Sequence, residues 1–198
     1  MFYRILRFIV GKPIFYLLFW PKIIGKEQLN IKGGAVIISN HISNWDPVFI
    51  AAAFKRVVFW MGKSELFKNR AARVILKALK SFPVKRGEGD LAAVRNAFRV
   101  LRGGNLLGIF PEGTRIKTGE LAHFEPGVSL IAIKANAPVL PMYICGGYKP
   151  FRRMKLVIGE PLYLKNHTGN RTGAASVEAA TRYLERKIAE LKNTAADG

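Results

Sequence analysis

From Gln28 onward, short apolar runs alternate with longer stretches whose apolar residues recur at helical spacing. The short runs, residues 35–39, 57–61, 81–84, 106–110, 139–143 and 156–158, are β-branched or aromatic and bounded by Gly, Pro or polar residues, which predicts strands. The longer stretches, 47–54, 66–80, 90–102, 126–136 and 174–191, predict helices. In the second of these, Leu66, Phe67, Ala71, Val74, Ile75, Ala78 and Leu79 fall mostly on one stripe. Alternation of this kind predicts an α/β fold: a single domain with a largely parallel mixed sheet covered by helices. No repeat, low-complexity tract or linker divides residues 28–193, and residues 194–198 read as a loose tail.

The first 27 residues follow another pattern. Arg4, Arg7, Lys12 and Lys22 are spread among bulky apolar and aromatic residues, and the longest charge-free stretch runs from Pro13 to Pro21. That falls far short of the ~20 residues a membrane-spanning helix needs. No small-residue cleavage site follows Trp20, so a signal peptide is not indicated. Cations and aromatics around short apolar runs suit a helical segment lying in the bilayer interface. Residues 1–27 are therefore expected to associate with a membrane.

Charge narrows the choice of partners. The 198 residues carry 32 Lys+Arg against 13 Asp+Glu, a formal net charge of +19, yet 49% are hydrophobic. A folded, strongly basic domain suits an anionic membrane surface, nucleic acid, or a phosphorylated or acidic substrate. The single Cys145 excludes an intramolecular disulfide framework, and with His41, His123 and His167 it lacks zinc-ligand spacing. No metal is expected.

In open α/β folds, chemistry gathers in loops at the carboxyl ends of strands. The first such loop is Asn40-His41-Ile42-Ser43-Asn44-Trp45-Asp46-Pro47. An imidazole can take a proton from a hydroxyl and return it, provided a partner on its second nitrogen fixes the tautomer. His41 and Asp46 would point about 140° apart on a continuous helix, so a dyad needs a turn between them. Ser43-Asn44 supplies turn-forming residues, and Pro47 suits the first position of the next helix. Asp46 ahead of Pro47 also reads as a helix N-cap without catalytic purpose. No Gly-x-Ser-x-Gly nucleophile exists in the chain, which favours a His–Asp general base.

The second loop is Phe110-Pro111-Glu112-Gly113-Thr114-Arg115. Gly113 permits a backbone that points amides into a cleft, Thr114 offers a hydroxyl, and Arg115 offers a fork matching phosphate oxygens. Taken alone, Pro-Glu-Gly is equally turn chemistry. Lys63, just after a strand, is a candidate anion contact. Gly87-x-Gly89-x-x-Ala92 fits only a loose dinucleotide fingerprint, and Gly62-Lys63-Ser64 lacks the first P-loop glycine, since position 57 is Val. Tyr148-Lys149-Pro150-Phe151-Arg152-Arg153 reads first as a solvated basic loop and next as a membrane-facing one.

Together the two loops resemble blocks of the glycerolipid acyltransferase family, the family of the lysophosphatidate acyltransferases. Ser81-Phe82-Pro83-Val84-Lys85-Arg86 resembles its block bearing a phosphate-contacting arginine, and Ala137-Pro138-Val139-Leu140-Pro141-Met142 resembles its proline-bearing strand near the acyl pocket. The blocks run in the family's order across about half the chain. Ile116 stands where many members carry Ser.

The resemblance implies an acyltransferase moving a fatty acyl group from acyl carrier protein or coenzyme A thioester to the hydroxyl of 1-acyl-glycerol-3-phosphate (lysophosphatidic acid), giving phosphatidic acid. His41 would be the general base and Asp46 its orienting carboxylate. Arg86, Glu112, Gly113, Thr114 and Arg115 would hold the acceptor's phosphate. No bound cofactor and no nucleic acid are implied, and the place expected is the cytoplasmic face of a membrane, bound monotopically. A sister activity on a lyso-ornithine lipid, another lysophospholipid or glycerol 3-phosphate is the alternative. A non-catalytic basic module binding membrane or nucleic acid is a more distant one.

Overall fold

The computed structural model describes residues 12–85, 89–116, 120–169 and 172–197. Its centre is a seven-stranded sheet of β1 (Lys22–Ile24), β2 (Ala35–Ser39), β3 (Val58–Lys63), β4 (Ser81–Val84), β5 (Leu106–Ile109), β6 (Val139–Cys145) and β7 (Lys155–Ile158). The strand order is β1-β7-β6-β2-β5-β3-β4, and every neighbouring pair is parallel except β6 with β7.

All five residues of β2 are buried, as a central strand covered on both faces requires. Its alternate side chains feed two cores. Val36 and Ile38 pack with Leu107, Val128, Ile131 and Leu184; Ala35 and Ile37 pack with Phe49, Ile50, Trp60 and Met142. The covering helices are α1 (Lys12–Phe19), α2 (Asp46–Ala53), α3 (Arg70–Ala78), α4 (Leu91–Arg102), α5 (Gly127–Ala135), α6 (Lys165–Thr168) and α7 (Ala174–Asp197).

Three expectations are corrected. The helix expected over 66–80 breaks into a 3₁₀ turn, Ser64–Phe67, and α3, because Asn69 adopts an extended ψ of 127° and its side chain accepts the Ala72 N–H at 3.0 Å. An asparagine able to cap a helix start ends the segment before it. Residues 194–197 of the expected tail are not loose, and Gly198 lies outside the described residues: α7 continues to Asp197, Ala195 is buried, and its carbonyl accepts from Lys155 Nζ at 3.0 Å.

The boundary at residue 27 also fails, since Lys22–Ile24 pairs with β7 inside the same sheet. The chain just before it is stitched to the β6–β7 loop, with Phe151 N–H donating to Leu18 O at 2.7 Å and Met154 N–H to Phe19 O at 3.0 Å. The rest of the expected interfacial segment, residues 1–11, lies outside the described residues. Among the described residues no helix is long and apolar enough to cross a membrane.

Candidate active site

β2 and β5 are parallel neighbours, so the loops that leave them emerge side by side at one end of the sheet. Three hydrogen bonds lock the loops together. His41 N–H donates to Glu112 Oε2 at 3.2 Å, Ile116 N–H to His41 O at 2.8 Å, and Arg115 Nη1 to Asn44 Oδ1 at 2.9 Å. On the other side of β2, Asn40 clamps β6 by donating to Ile144 O at 3.0 Å and accepting from Ile144 N–H at 2.7 Å.

Between His41 and α2 the chain turns as the spacing requires, and His41 Nδ1 lies 2.7 Å from Asp46 Oδ2. Asp46 is wholly buried. It does not cap its helix forwards. Trp45 occupies the cap position, and the Asp46 carboxylate folds back to accept from Ile42 N–H at 2.7 Å and Ser43 N–H at 2.8 Å. Its other oxygen accepts from the Tyr148 hydroxyl at 2.7 Å. A carboxylate on Nδ1 selects the tautomer with its proton there and leaves Nε2 as the acceptor.

The imidazole rests on Phe110, ring centroids 4.1 Å apart and 14° from parallel, and Phe110 rests on Trp60 at 5.1 Å and 8°. Trp60 can lie there because residue 108 in the adjacent strand is glycine: a Cβ at Gly108 would run into the indole. Beside this stack opens a cavity of about 550 Å³. His41, Asn44, Lys63, Gly113 and Glu125 are among its polar lining; Leu66, Ile75, Leu76, Leu79, Val128 and Ile131 are among the apolar remainder.

The phosphate-binding candidates divide. Lys63 reaches the cavity and pairs with Glu65 at 3.3 Å on the surface. Thr114 and Arg115 are exposed, and Arg115 is fixed through Asn44 at the cavity edge. Glu112 is corrected: its carboxylate is buried and turns inward onto the His41 amide. Gly113 adopts φ 67°, but its N–H donates to Phe110 O at 3.1 Å and closes a turn instead of facing the cleft. The Ile42 and Ser43 amides are likewise engaged by Asp46. Arg86 lies outside the described residues. None of the block from Ala137 to Met142 lines the cavity; its residues enter β6 and the core.

Burial pushes the Glu112 carboxyl up to about 7. The His41 and Ala122 amides pull it the other way, and the Asp46 charge adds to the rise. Burial, then the Asp46 charge and hydrogen bond, push the Tyr148 hydroxyl far above the ordinary tyrosine range, so it is a donor at every physiological pH. Sequence reading missed Tyr148, which it left in a solvated loop. It also missed the Trp60–Phe110 support, because neither carries a local signal.

A mostly parallel sheet covered by helices, with an imidazole paired to a buried carboxylate at its strand ends and beside a largely apolar cavity, is a geometry able to take a proton from a hydroxyl next to an apolar ligand. Residues 21–145 match the family described as Acyltransferase, and the chain belongs to that family. It is 32% identical over 179 residues to the 1-acyl-sn-glycerol-3-phosphate acyltransferase of Bacillus subtilis, covering 87% of this chain and 88% of that protein. A protein of the same name from Pseudomonas aeruginosa is 25% identical over 208 residues, 93% of this chain and 78% of that one. The fold also matches the crystal structure of the 1-acyl-sn-glycerophosphate (LPA) acyltransferase, PlsC, of Thermotoga maritima, with TM-score 0.70 and 23% identity over 96% of this chain and 80% of that one. The chain is an acyltransferase.

Proposed function

We propose that this acyltransferase esterifies the free hydroxyl of 1-acyl-sn-glycerol-3-phosphate with an acyl group from an acyl carrier protein or coenzyme A thioester. The observation that carries the reading is the His41–Asp46 pair at 2.7 Å, opening on a cavity that is largely apolar, with Lys63 in its wall and Arg115 tied to Asn44 at its edge. The relatives' names supply the acceptor.

In this mechanism His41 Nε2 accepts the hydroxyl proton as the acceptor oxygen bonds to the thioester carbonyl carbon. The carbon–sulfur bond then breaks, and the imidazolium returns the proton to the departing thiolate. Asp46 fixes the tautomer and offsets the transient positive charge. Lys63, Thr114 and Arg115, with Arg86, hold the phosphate and bring the hydroxyl to His41, so that positioning supplies much of the rate. Gly113 shapes the turn that carries them, and Glu112 holds the backbone of His41. An apolar wall suits an acyl chain. The exposed Leu17 of α1 and Trp20 just after it support an interfacial N-terminal segment, which we place on the cytoplasmic face of a membrane.

The test is thiol release from acyl-coenzyme A or acyl carrier protein in the presence of lysophosphatidic acid. His41→Ala is expected to lower kcat by about 10²–10⁴-fold. Wild-type turnover in that variant, or a stronger response to lyso-ornithine lipid or glycerol 3-phosphate, would overturn the assignment.

A further inference from the structure

α3 is amphipathic in sequence, yet none of its residues is fully buried. α4, less amphipathic than α3, still sinks Ala93, Ala97 and Leu101 into the core. The apolar stripe of α3 is wider than the protein uses. Ile75, Leu76 and Leu79 wall the active-site cavity. About 100° further round, Val74 turns to solvent. Val74 is 69% exposed, Ile75 60%, and Leu66 of the preceding turn 51%. Beside this aliphatic strip stand Arg70, Arg73 and Lys77, all exposed, and among the described residues none of the three has an ion-pair partner. Between Lys63 and Lys80 the only acid is Glu65.

Exposed aliphatics flanked by unpaired cations on a helix suit the boundary between headgroups and acyl chains, where apolar burial and attraction to anionic lipid act together. An acidic soluble partner would use the cations but leave the aliphatics in water. The strip is continuous with the cavity wall, so a lipid leaving the bilayer along it arrives beside His41. We propose that α3 and the turn before it form a membrane-docking ramp for an anionic bilayer, distinct from the N-terminal segment, over which the lipid substrate enters. This rests on the reading that the acceptor is a membrane lipid.

The experiment uses the full chain and vesicles of phosphatidylcholine with phosphatidylglycerol. The double variant Arg73→Glu, Val74→Glu alters two exposed positions outside the cavity. It is expected to bind vesicles at least fivefold more weakly, on the scale of about fivefold for each basic residue near an anionic surface. Its kcat/KM on vesicle-borne lysophosphatidate should fall in parallel, while turnover of a short-chain, monomeric lysophosphatidate stays at the wild-type level. Val74→Trp should shift vesicle binding the opposite way, and Arg186→Glu on α7 should leave it unchanged.

Wild-type vesicle binding by the double variant would overturn the ramp. So would unchanged vesicle binding with a raised KM for the carrier-protein donor, which would give the face to that protein. If the wild-type chain transfers acyl groups to neither acceptor while the binding shifts appear as stated, the acyl-transfer reading fails and the docking face stands.

Discussion

The Tyr148 hydroxyl donates to Asp46 Oδ1 at 2.7 Å, on the oxygen that His41 does not use. The two residues stand 102 positions apart. They meet because β2 and β6 are parallel neighbours whose following loops emerge at the same end of the sheet. Tyr148 also packs edge-on against Phe19 and Phe49, with centroids at 5.7 Å and 6.3 Å. The dyad's carboxylate is thus braced by a residue that itself rests on the N-terminal helix.

Tyr148→Phe keeps that packing and deletes one donor. Leaving a buried carboxylate oxygen short of a partner is expected to cost about 1–2 kcal/mol of stability. It should also loosen Asp46, so kcat is expected to fall roughly tenfold with KM little changed. Thermal unfolding and steady-state kinetics on the one variant separate the two effects.

Asp46→Asn retains shape and volume but removes the charge that accepts from the His41 ring and two amides. An amide there can select the wrong imidazole tautomer. The expected loss in kcat is about 10²–10⁴-fold in a folded protein, checked by single-turnover thiol release alongside circular dichroism.

Glu112 links stability to pH. Its folded value, about 7, lies above the ordinary 4.5, so the folded chain binds this proton more tightly than the unfolded chain does. Its stabilising contribution is therefore whole below about pH 4.5 and lost as pH rises through about 7. Glu112→Gln mimics the protonated acid and can still accept from the His41 amide. The variant should gain on wild type steadily as pH rises from about 4.5 to about 7, measured as the difference between their melting temperatures across that range. A constant difference would mean that the carboxyl is not protonated on folding.

Gly108→Ala tests the aromatic support. Its new Cβ must displace the Trp60 indole, and with it Phe110 and the His41 ring stacked above. Overpacking of this kind is expected to cost about 1–3 kcal/mol, and kcat should fall though no catalytic group is altered. Denaturant unfolding and kinetics check both.

The hydrophobic pattern of the chain was enough to place most of the strands and the α/β class, because a buried strand must be continuously apolar and a covering helix must show a stripe. It was not enough for Lys22–Ile24, whose three residues are too few to display a period and which become a strand only by pairing with β7. The run 66–80 looked like one helix because its stripe continues across Asn69; the asparagine's choice to cap depends on backbone geometry that periodicity does not encode.

In the site, the residue types needed for proton transfer and anion contact were readable in Asn40 to Asp46 and Phe110 to Arg115, since such chemistry restricts the side chains able to perform it. What those side chains touch was decided by the fold. Glu112 faces the His41 amide instead of a phosphate because parallel pairing of β2 with β5 presses one loop's carboxylate against the other loop's backbone. Tyr148 joins Asp46 only through β6. The sequence by itself determined the class of fold and the chemical groups available to the site. Tertiary structure alone determined that Glu112 holds the His41 backbone and that Tyr148 braces Asp46, because hydrogen bonds between loops depend on strand order, and strand order is not a local property of the chain.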